Sequence, residues 1–434
     1  MNRQSASAGI SSVYRYGERY LPLLAAIGFL LFLAIIPESF RTTAGSDFAD
    51  RYGYAAQSVL AGKGYVGMDG AFFVWYPPGY SMVLLVVFMI GRLFGLTDFT
   101  SAQLLNTLFF ALNVHFIIQI AKRVAPRIAL LAGLLWLLYP PALWMAKLPY
   151  SETFYICLTL AAILSWLKQW DGENVPKWRP IVTGMLMGLA MLTRPIGLLT
   201  PVLLFIAFPL WRGKEATTFQ KLRHALLITA GILVIVLPWQ VTMKVKTGES
   251  PLIAKGGVYA AMDGMRRGVI SGPRGFNVPD DVREYMADIY GKKDEIQSNG
   301  DLIRVMLVEG IQKPVTFAKF IFIKATRSWY GTDGQSEKVE LIILLMQLPI
   351  LVIGIWGLVV VARSQNIQRK NLFLIALAIL LGHWAMSMLV VPLLRYTLPG
   401  MPLFFIAISC LVQDSFAKNA RLGRALLLKD ESSR

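Results

Sequence analysis

The sequence is poor in the residues that soluble enzymes and small stapled domains are built from. Charged residues make up 16% of 434, where a soluble domain carries roughly 25%, so polar groups cannot cover a globular surface. There are two cysteines and three histidines. Cys157 and Cys410 each lie inside an apolar run, which excludes a disulfide framework and predicts packing roles. His115, His224 and His383 are far apart and form no HExxH pattern, so no zinc site is expected. The chain also lacks a Walker A loop, a GxSxG elbow and a dinucleotide fingerprint, which leaves a nucleotide-hydrolysing pump unsupported. It lacks a repeat of equal halves, which weakens a typical secondary-transporter architecture.

What is present is apolar. Hydrophobic residues make up 55% and mean hydropathy is +0.54, which excludes disorder, collagen and coiled coil. Apolar runs stand at about 20–37, 80–96, 104–120, 128–146, 152–168, 180–193, 195–211, 225–242, 341–361, 371–391 and 396–413. A spanning helix takes about 20 residues, so the sequence predicts an all-α polytopic membrane bundle of about 10 (10–11) transmembrane helices. Arg3, Arg15 and Arg19 precede the first run, and no small-residue cleavage site follows it. This favours a retained signal anchor.

The 43 basic residues against 26 acidic ones give +17. In a soluble protein that surplus would suggest nucleic acid; here it reads as topology, because Lys and Arg stay on the cytoplasmic side. If 80–96 lies on or re-enters the outer leaflet, 21 of the 43 basic residues fall on the inner side, in 1–19, 121–127, 168–179, 211–224, 362–370 and 413–434. If 80–96 crossed, every later basic loop would face outward. The sequence therefore predicts ten spans in the plasma (cytoplasmic, inner) membrane with both termini cytoplasmic, and no nucleic-acid partner. Three regions result: an N-terminal transmembrane module over 1–242, a long outer loop over 243–339, and C-terminal helices with a basic tail over 340–434.

Two outer segments can carry chemistry. In 38–103, Asp47 and Asp50 follow the first span at the membrane surface. A carboxylate there can act as a general base, bind a cation, or cap a short helix that ends at Gly62-Lys63-Gly64. Trp75 and Tyr76 mark an interfacial belt, and Pro77-Pro78-Gly79 breaks the chain before the 80–96 run. In 243–339, amphipathic stretches at about 280–290 and 301–312, and a third starting at Pro314, predict interfacial helices. That loop either anchors to headgroups or closes as a lid.

Three short outer turns add polar groups. Glu152 opens the 152–168 run, where a carboxylate complements the helix dipole. Arg194 stands between two apolar runs, and an Arg at that depth has a functional role by default. Arg395 and Tyr396 occupy the last outer turn. Carboxylates and arginines on one face suit acid/base chemistry on a phosphorylated lipid, since arginine binds phosphate by paired hydrogen bonds.

These segments together resemble the GT-C fold glycosyltransferases, specifically the dolichyl-phosphate-mannose protein mannosyltransferase and aminoarabinose lipid A transferase group. The likeness is carried by SDFADRY (46–52), LAGKGY (60–65), YPPGY (76–80), RLFG (92–95), PYSETF (149–154), GMLMGLAMLTRPIG (184–197) and LLRYTLPGMPL (393–403), in the family's order. It implies juxtamembrane helices in the first outer loop and an active site on the outer face. It implies a polyprenyl-phosphate-linked sugar as donor and a protein, lipid or glycan hydroxyl as acceptor, with membrane lipids as surroundings. It places the catalytic base at Asp47, with Asp50 second, and gives Glu152 a role in arranging the acceptor or a metal. Arg194, Arg395 and Tyr396 fall near the lipid phosphate, and Tyr52, Trp75 and Tyr76 support the first loop. Some members carry an acidic residue before the double proline; here Val74, Trp75 and Tyr76 stand there, so a divalent metal is not required by the sequence. The alternative is a lipid-linked sugar flippase, which predicts charges deep in several spans; the apolar runs hold few.

Overall fold

The computed structural model describes the backbone over residues 3–37, 46–169, 176–207, 210–211, 217–249, 253–270, 275–334 and 336–432, with side chains from residue 16 to 419 within those segments except at 299. Residues 38–45 of the first loop and 271–274 of the glycine-rich stretch lie outside the described residues.

All eleven apolar runs are helical. In chain order the helices are α1 (Arg3–Ile35), α2 (Gly53–Leu60), α3 (Gly79–Leu93), α4 (Asp98–Val124), α5 (Ala129–Leu137), α6 (Pro140–Ala146), α7 (Ser151–Lys168), α8 (Trp178–Thr193), α9 (Leu199–Ile206), α10 (Thr218–Thr247), α11 (Gly256–Val269), α12 (Asp280–Gly291), α13 (Asn299–Gln312), α14 (Pro314–Arg327), α15 (Glu337–Arg363), α16 (Ile367–Leu389), α17 (Leu394–Thr397) and α18 (Met401–Ser432). The described residues contain no strand, only an isolated bridge between Val66 and Phe72. The chain is an all-α integral membrane protein.

Six helices are long and apolar enough to cross a membrane, or seven if α5 and α6, bent by 58°, form one span. The expected count of about ten is not reached by this criterion. Helix α8 has 16 residues, and a 3-10 turn at Pro195–Leu198 precedes the eight residues of α9. Helix α3, at 15 residues, is about 22 Å long, short of the roughly 30 Å hydrocarbon core. That agrees with its expected juxtamembrane place.

Local chemistry explains the breaks. A residue before proline is pushed out of the helical region. Tyr139 before Pro140 is extended (φ −81°, ψ 107°), and so is Arg194 before Pro195 (φ −145°, ψ 124°). Side-chain caps set several starts: Thr97 for α4, a Thr217–Gln220 capping box for α10, Ser298–Asp301 for α13 and Asn366 for α16. Each satisfies backbone N–H groups that the first turn leaves open.

Small residues set the closest helix contact. A Cβ on Gly184 of α8 would stand 2.0 Å from the Ile228 carbonyl oxygen of α10, and one on Gly231 2.2 Å from that of Ile181. Where lipid replaces water, close backbone approach of this kind drives helix pairing. The main core runs through α1, α4, α5, α7, α8, α10, α16 and α18. A second core unites α11–α14 with Val391 and Leu393. A third packs Phe48, Tyr52, Tyr80 and Phe88 against Phe154 and Tyr155.

Candidate active site

The site forms where the first loop, the start of α7, the end of α8 and the turn before α18 meet. Asp47 begins a tight turn that continues as a π-helical stretch, Phe48–Tyr52. Ser46 caps that turn: the Ala49 N–H donates to its Oγ at 3.2 Å. Asp47 makes no capping bond, so the capping role open to it in the sequence belongs to Ser46, and its carboxylate is left for charge pairing. Arg51 Nη1 donates to Asp47 Oδ1 at 2.7 Å and also to the Tyr76 hydroxyl.

Arg395 comes from the far end of the chain. Its Nη2 donates to Asp47 Oδ2 at 2.6 Å, and its Nε donates to Glu152 Oε1 at 2.7 Å. Arg194 Nη1 lies 2.7 Å from the same Glu152 oxygen and donates to Ser151 Oγ at 3.1 Å. The result is an alternating chain: Arg51, Asp47, Arg395, Glu152, Arg194. Arg194 stands there because Pro195 ends α8, and Glu152 because it opens α7. Tyr396 covers both cations, its ring centroid 5.5 Å from the Arg194 guanidinium and 5.7 Å from that of Arg395.

Burial sharpens these interactions. Glu152 is 0% exposed, and its Oε2 has no hydrogen-bond partner. Burial by itself pushes the Asp47 carboxyl up, but Arg395 and then Arg51 outweigh it and hold it down at about 2. Burial pushes the Tyr52 phenol up to about 12, so it stays neutral; its ring packs edge-on against Tyr76 and Tyr80.

The expected site residues thus divide. Asp47, Glu152, Arg194, Arg395 and Tyr396 converge, and Tyr52 and Tyr76 pack beside them. Asp50 forms no ion pair with any described residue. Trp75 is 45% exposed and stands against Tyr259 of α11, so it joins the first loop to the 243–339 segment rather than to the charged chain. Arg51 and Ser151 were not expected. Arg51 had a signal, its four-residue spacing from Asp47; Ser151 had only its place beside Glu152. No group of three or more His, Cys, Asp or Glu side chains among the described residues is arranged to hold a metal ion.

Next to Arg194, an apolar cleft of about 590 Å³ opens between α3, α8 and α10. Gly79, Met82, Val86, Leu189, Leu192 and Ile235 are among its lining residues.

The family model of dolichyl-phosphate-mannose-protein mannosyltransferases matches residues 77–241. The archaeal oligosaccharyltransferase AglB from Archaeoglobus fulgidus, solved with an inhibitory peptide and a dolichol-phosphate, is 14% identical, with a TM-score of 0.53 over 95% of this chain and 52% of its own. The apo form of the Archaeoglobus fulgidus oligosaccharyltransferase gives a TM-score of 0.58 at 13% identity, over 94% and 52%. The chain belongs to the GT-C fold superfamily. It spans about half the length of these solved relatives. No curated protein matches the sequence. Within the GT-C chain, the family match covers Glu152 and Arg194 but neither Asp47 nor Arg395, so those two enter through the structure.

Proposed function

We propose that this GT-C protein transfers a sugar from a polyprenyl-phosphate donor to an acceptor hydroxyl on the outer face of the membrane. The observation that carries the reading is Arg395 bridging Asp47 and Glu152. It supplies a carboxylate base and a phosphate ligand in one hydrogen-bonded unit. The dolichol-phosphate in the AglB structure and the apolar cleft beside Arg194 support a lipid-linked donor.

In the resting site the two carboxylates occupy the guanidinium groups. A donor phosphate offers Arg395 and Arg194 a stronger, bidentate partner. As Arg395 turns to it, Asp47 loses the stronger of its two cations. Its carboxyl then rises toward the ordinary range and becomes a useful base. Asp47 takes the proton of the acceptor hydroxyl as that oxygen attacks the anomeric carbon. The bond from that carbon to the phosphate oxygen breaks, and the lipid phosphate leaves with its charge held by Arg194 and Arg395. Glu152 stays between the two cations and keeps them at one spacing. Its unpartnered Oε2 can accept a hydrogen bond from a sugar hydroxyl.

The test is transfer from a labelled polyprenyl-phosphate sugar to extracted membrane acceptors by the purified protein. Release of free lipid phosphate in step with acceptor labelling supports the reading. Movement of intact lipid-linked sugar across proteoliposomes without transfer would replace it with the flippase.

A further inference from the structure

The place of Arg395 sets the charge environment of both carboxylates, and Arg395 stands just beyond a four-residue connector, 390–393, between α16 and α17. One helix end holds that connector. Lys324 Nζ, in a side chain 2% exposed, donates to the Val390 carbonyl at 3.1 Å. Arg327 Nη1 donates to the Pro392 carbonyl at 3.2 Å. The Leu394 N–H donates to the Gly331 carbonyl at 2.8 Å. On either side, Thr397 Oγ1 donates to the Ser328 carbonyl and Trp384 Nε1 to the Ala325 carbonyl, each at 2.8 Å. Arg327 is anchored in turn: its Nη2 donates to Glu340, and its guanidinium lies 4.0 Å from the Phe276 ring centroid.

The connector also belongs to the core of the α11–α14 segment. Val391 and Leu393 are buried in it beside Met265, Tyr285 and Phe320. A Cβ on Gly264 of α11 would meet the Val390 carbonyl oxygen at 2.2 Å. Simple apolar packing would tether the connector without two buried cations, and such cations are costly to desolvate. Their hydrogen bonds to consecutive backbone carbonyls fix the direction of the chain, which packing alone does not.

We propose that Arg327, tied to Glu340 and to the Pro392 carbonyl, is a positioning residue for Arg395. It fixes the Arg395 guanidinium between Asp47 and Glu152, so the 256–334 segment governs when a donor phosphate can take that guanidinium. The functional half of this rests on the reading of Arg395 as a donor-phosphate ligand.

The test uses the full chain in lipid nanodiscs, with Arg327→Ala, Arg327→Lys, Lys324→Met, Arg395→Ala and the Arg327→Ala/Arg395→Ala pair. Two readouts are taken: amide hydrogen exchange over 384–397 without ligand, and undecaprenyl phosphate binding with donor KM and kcat. Arg327→Ala should speed exchange and weaken undecaprenyl phosphate binding, each about tenfold, with the change in donor KM rather than kcat. Arg327→Lys, which can keep one of the two contacts, should recover part of both. The double variant should lose no more binding than Arg395→Ala alone. Unchanged exchange over 384–397, or losses that multiply in the double variant, would overturn the proposal. If Arg327→Ala yields no folded protein, Lys324→Met removes a single bond and must shift exchange in the same direction. If exchange rises while neither Arg327→Ala nor Arg395→Ala alters binding, the positioning stands and the donor-phosphate reading falls.

Discussion

Asp47 and Arg395 are 348 positions apart in the chain, yet Oδ2 of one and Nη2 of the other are 2.6 Å apart. Both side chains are largely buried, 17% and 15% exposed. Asp47 has a second cation in Arg51 and Arg395 a second anion in Glu152, so a ligand that takes one member changes the charge on all the others.

The first prediction separates the two early carboxylates. Asp47→Asn should lower kcat by about 100-fold or more, the range of a lost general base. Asp50→Asn should stay within a few-fold of the parent, because Asp50 takes no part in the charged chain. Steady-state transfer with both variants expressed to equal levels decides it, and equal losses would remove the distinction.

The second concerns pH. Asp47 is held at about 2 in the resting site by Arg395 and Arg51, below its ordinary 3.8. The acid limb of kcat/KM, which reports the free enzyme, should therefore fall below pH 4. The limb of kcat, which reports the bound state, should lie higher, because the donor has taken Arg395 away. The same depressed carboxyl contributes stability above pH 3.8 that is lost as pH falls toward 2. Thermal unfolding of the parent should drop across that window, and that of Asp47→Asn should drop less.

A third prediction tests Glu152. Glu152→Gln leaves Arg194 and Arg395 facing each other without a buried anion, a change that costs about 3–5 kcal/mol when one partner of a buried pair is lost. Its melting temperature should fall clearly below the parent's. Added undecaprenyl phosphate should recover more of that loss in the variant than it adds to the parent, because its phosphate supplies the missing charge. Equal shifts in both proteins would count against phosphate binding at this place.

The arginines should differ from lysines. Arg395→Lys cannot reach Asp47 and Glu152 with two separately directed N–H groups, since an ammonium lacks the planar fork. Donor KM should rise about tenfold or more, close to the effect of Arg395→Ala. Full activity in Arg395→Lys would mean that charge alone suffices.

A fifth prediction tests the bundle itself. Gly184→Ala places a Cβ 2.0 Å from a backbone oxygen of α10, and overpacking of this kind costs about 1–3 kcal/mol. Gly28→Ala, with open space around it, should leave the melting temperature unchanged or slightly raised. Detergent melting curves of the two variants make the comparison.

The sequence by itself determined the helical membrane class, the positions of the apolar runs and the helices of the 243–339 segment. Those properties are local: apolar run length, proline position and amphipathic spacing act within about 20 residues. It also placed Asp47, Glu152, Arg194 and Arg395 as candidates, because charge next to an apolar run is conspicuous. It did not tell Asp47 from Asp50. Both carboxylates have the same chemistry and lie three residues apart, and what distinguishes them is a cation that arrives from residue 395. Nor did it separate Trp75 from Tyr76: neighbours in sequence, one packs on Tyr259 of α11 and the other meets Arg51. The number of spans was overread for the same reason, since apolar letters continue across Arg194-Pro195 while the helix does not. Only the tertiary structure decided which charges are paired, because burial sets the strength of a charge and burial is a property of the whole packed bundle.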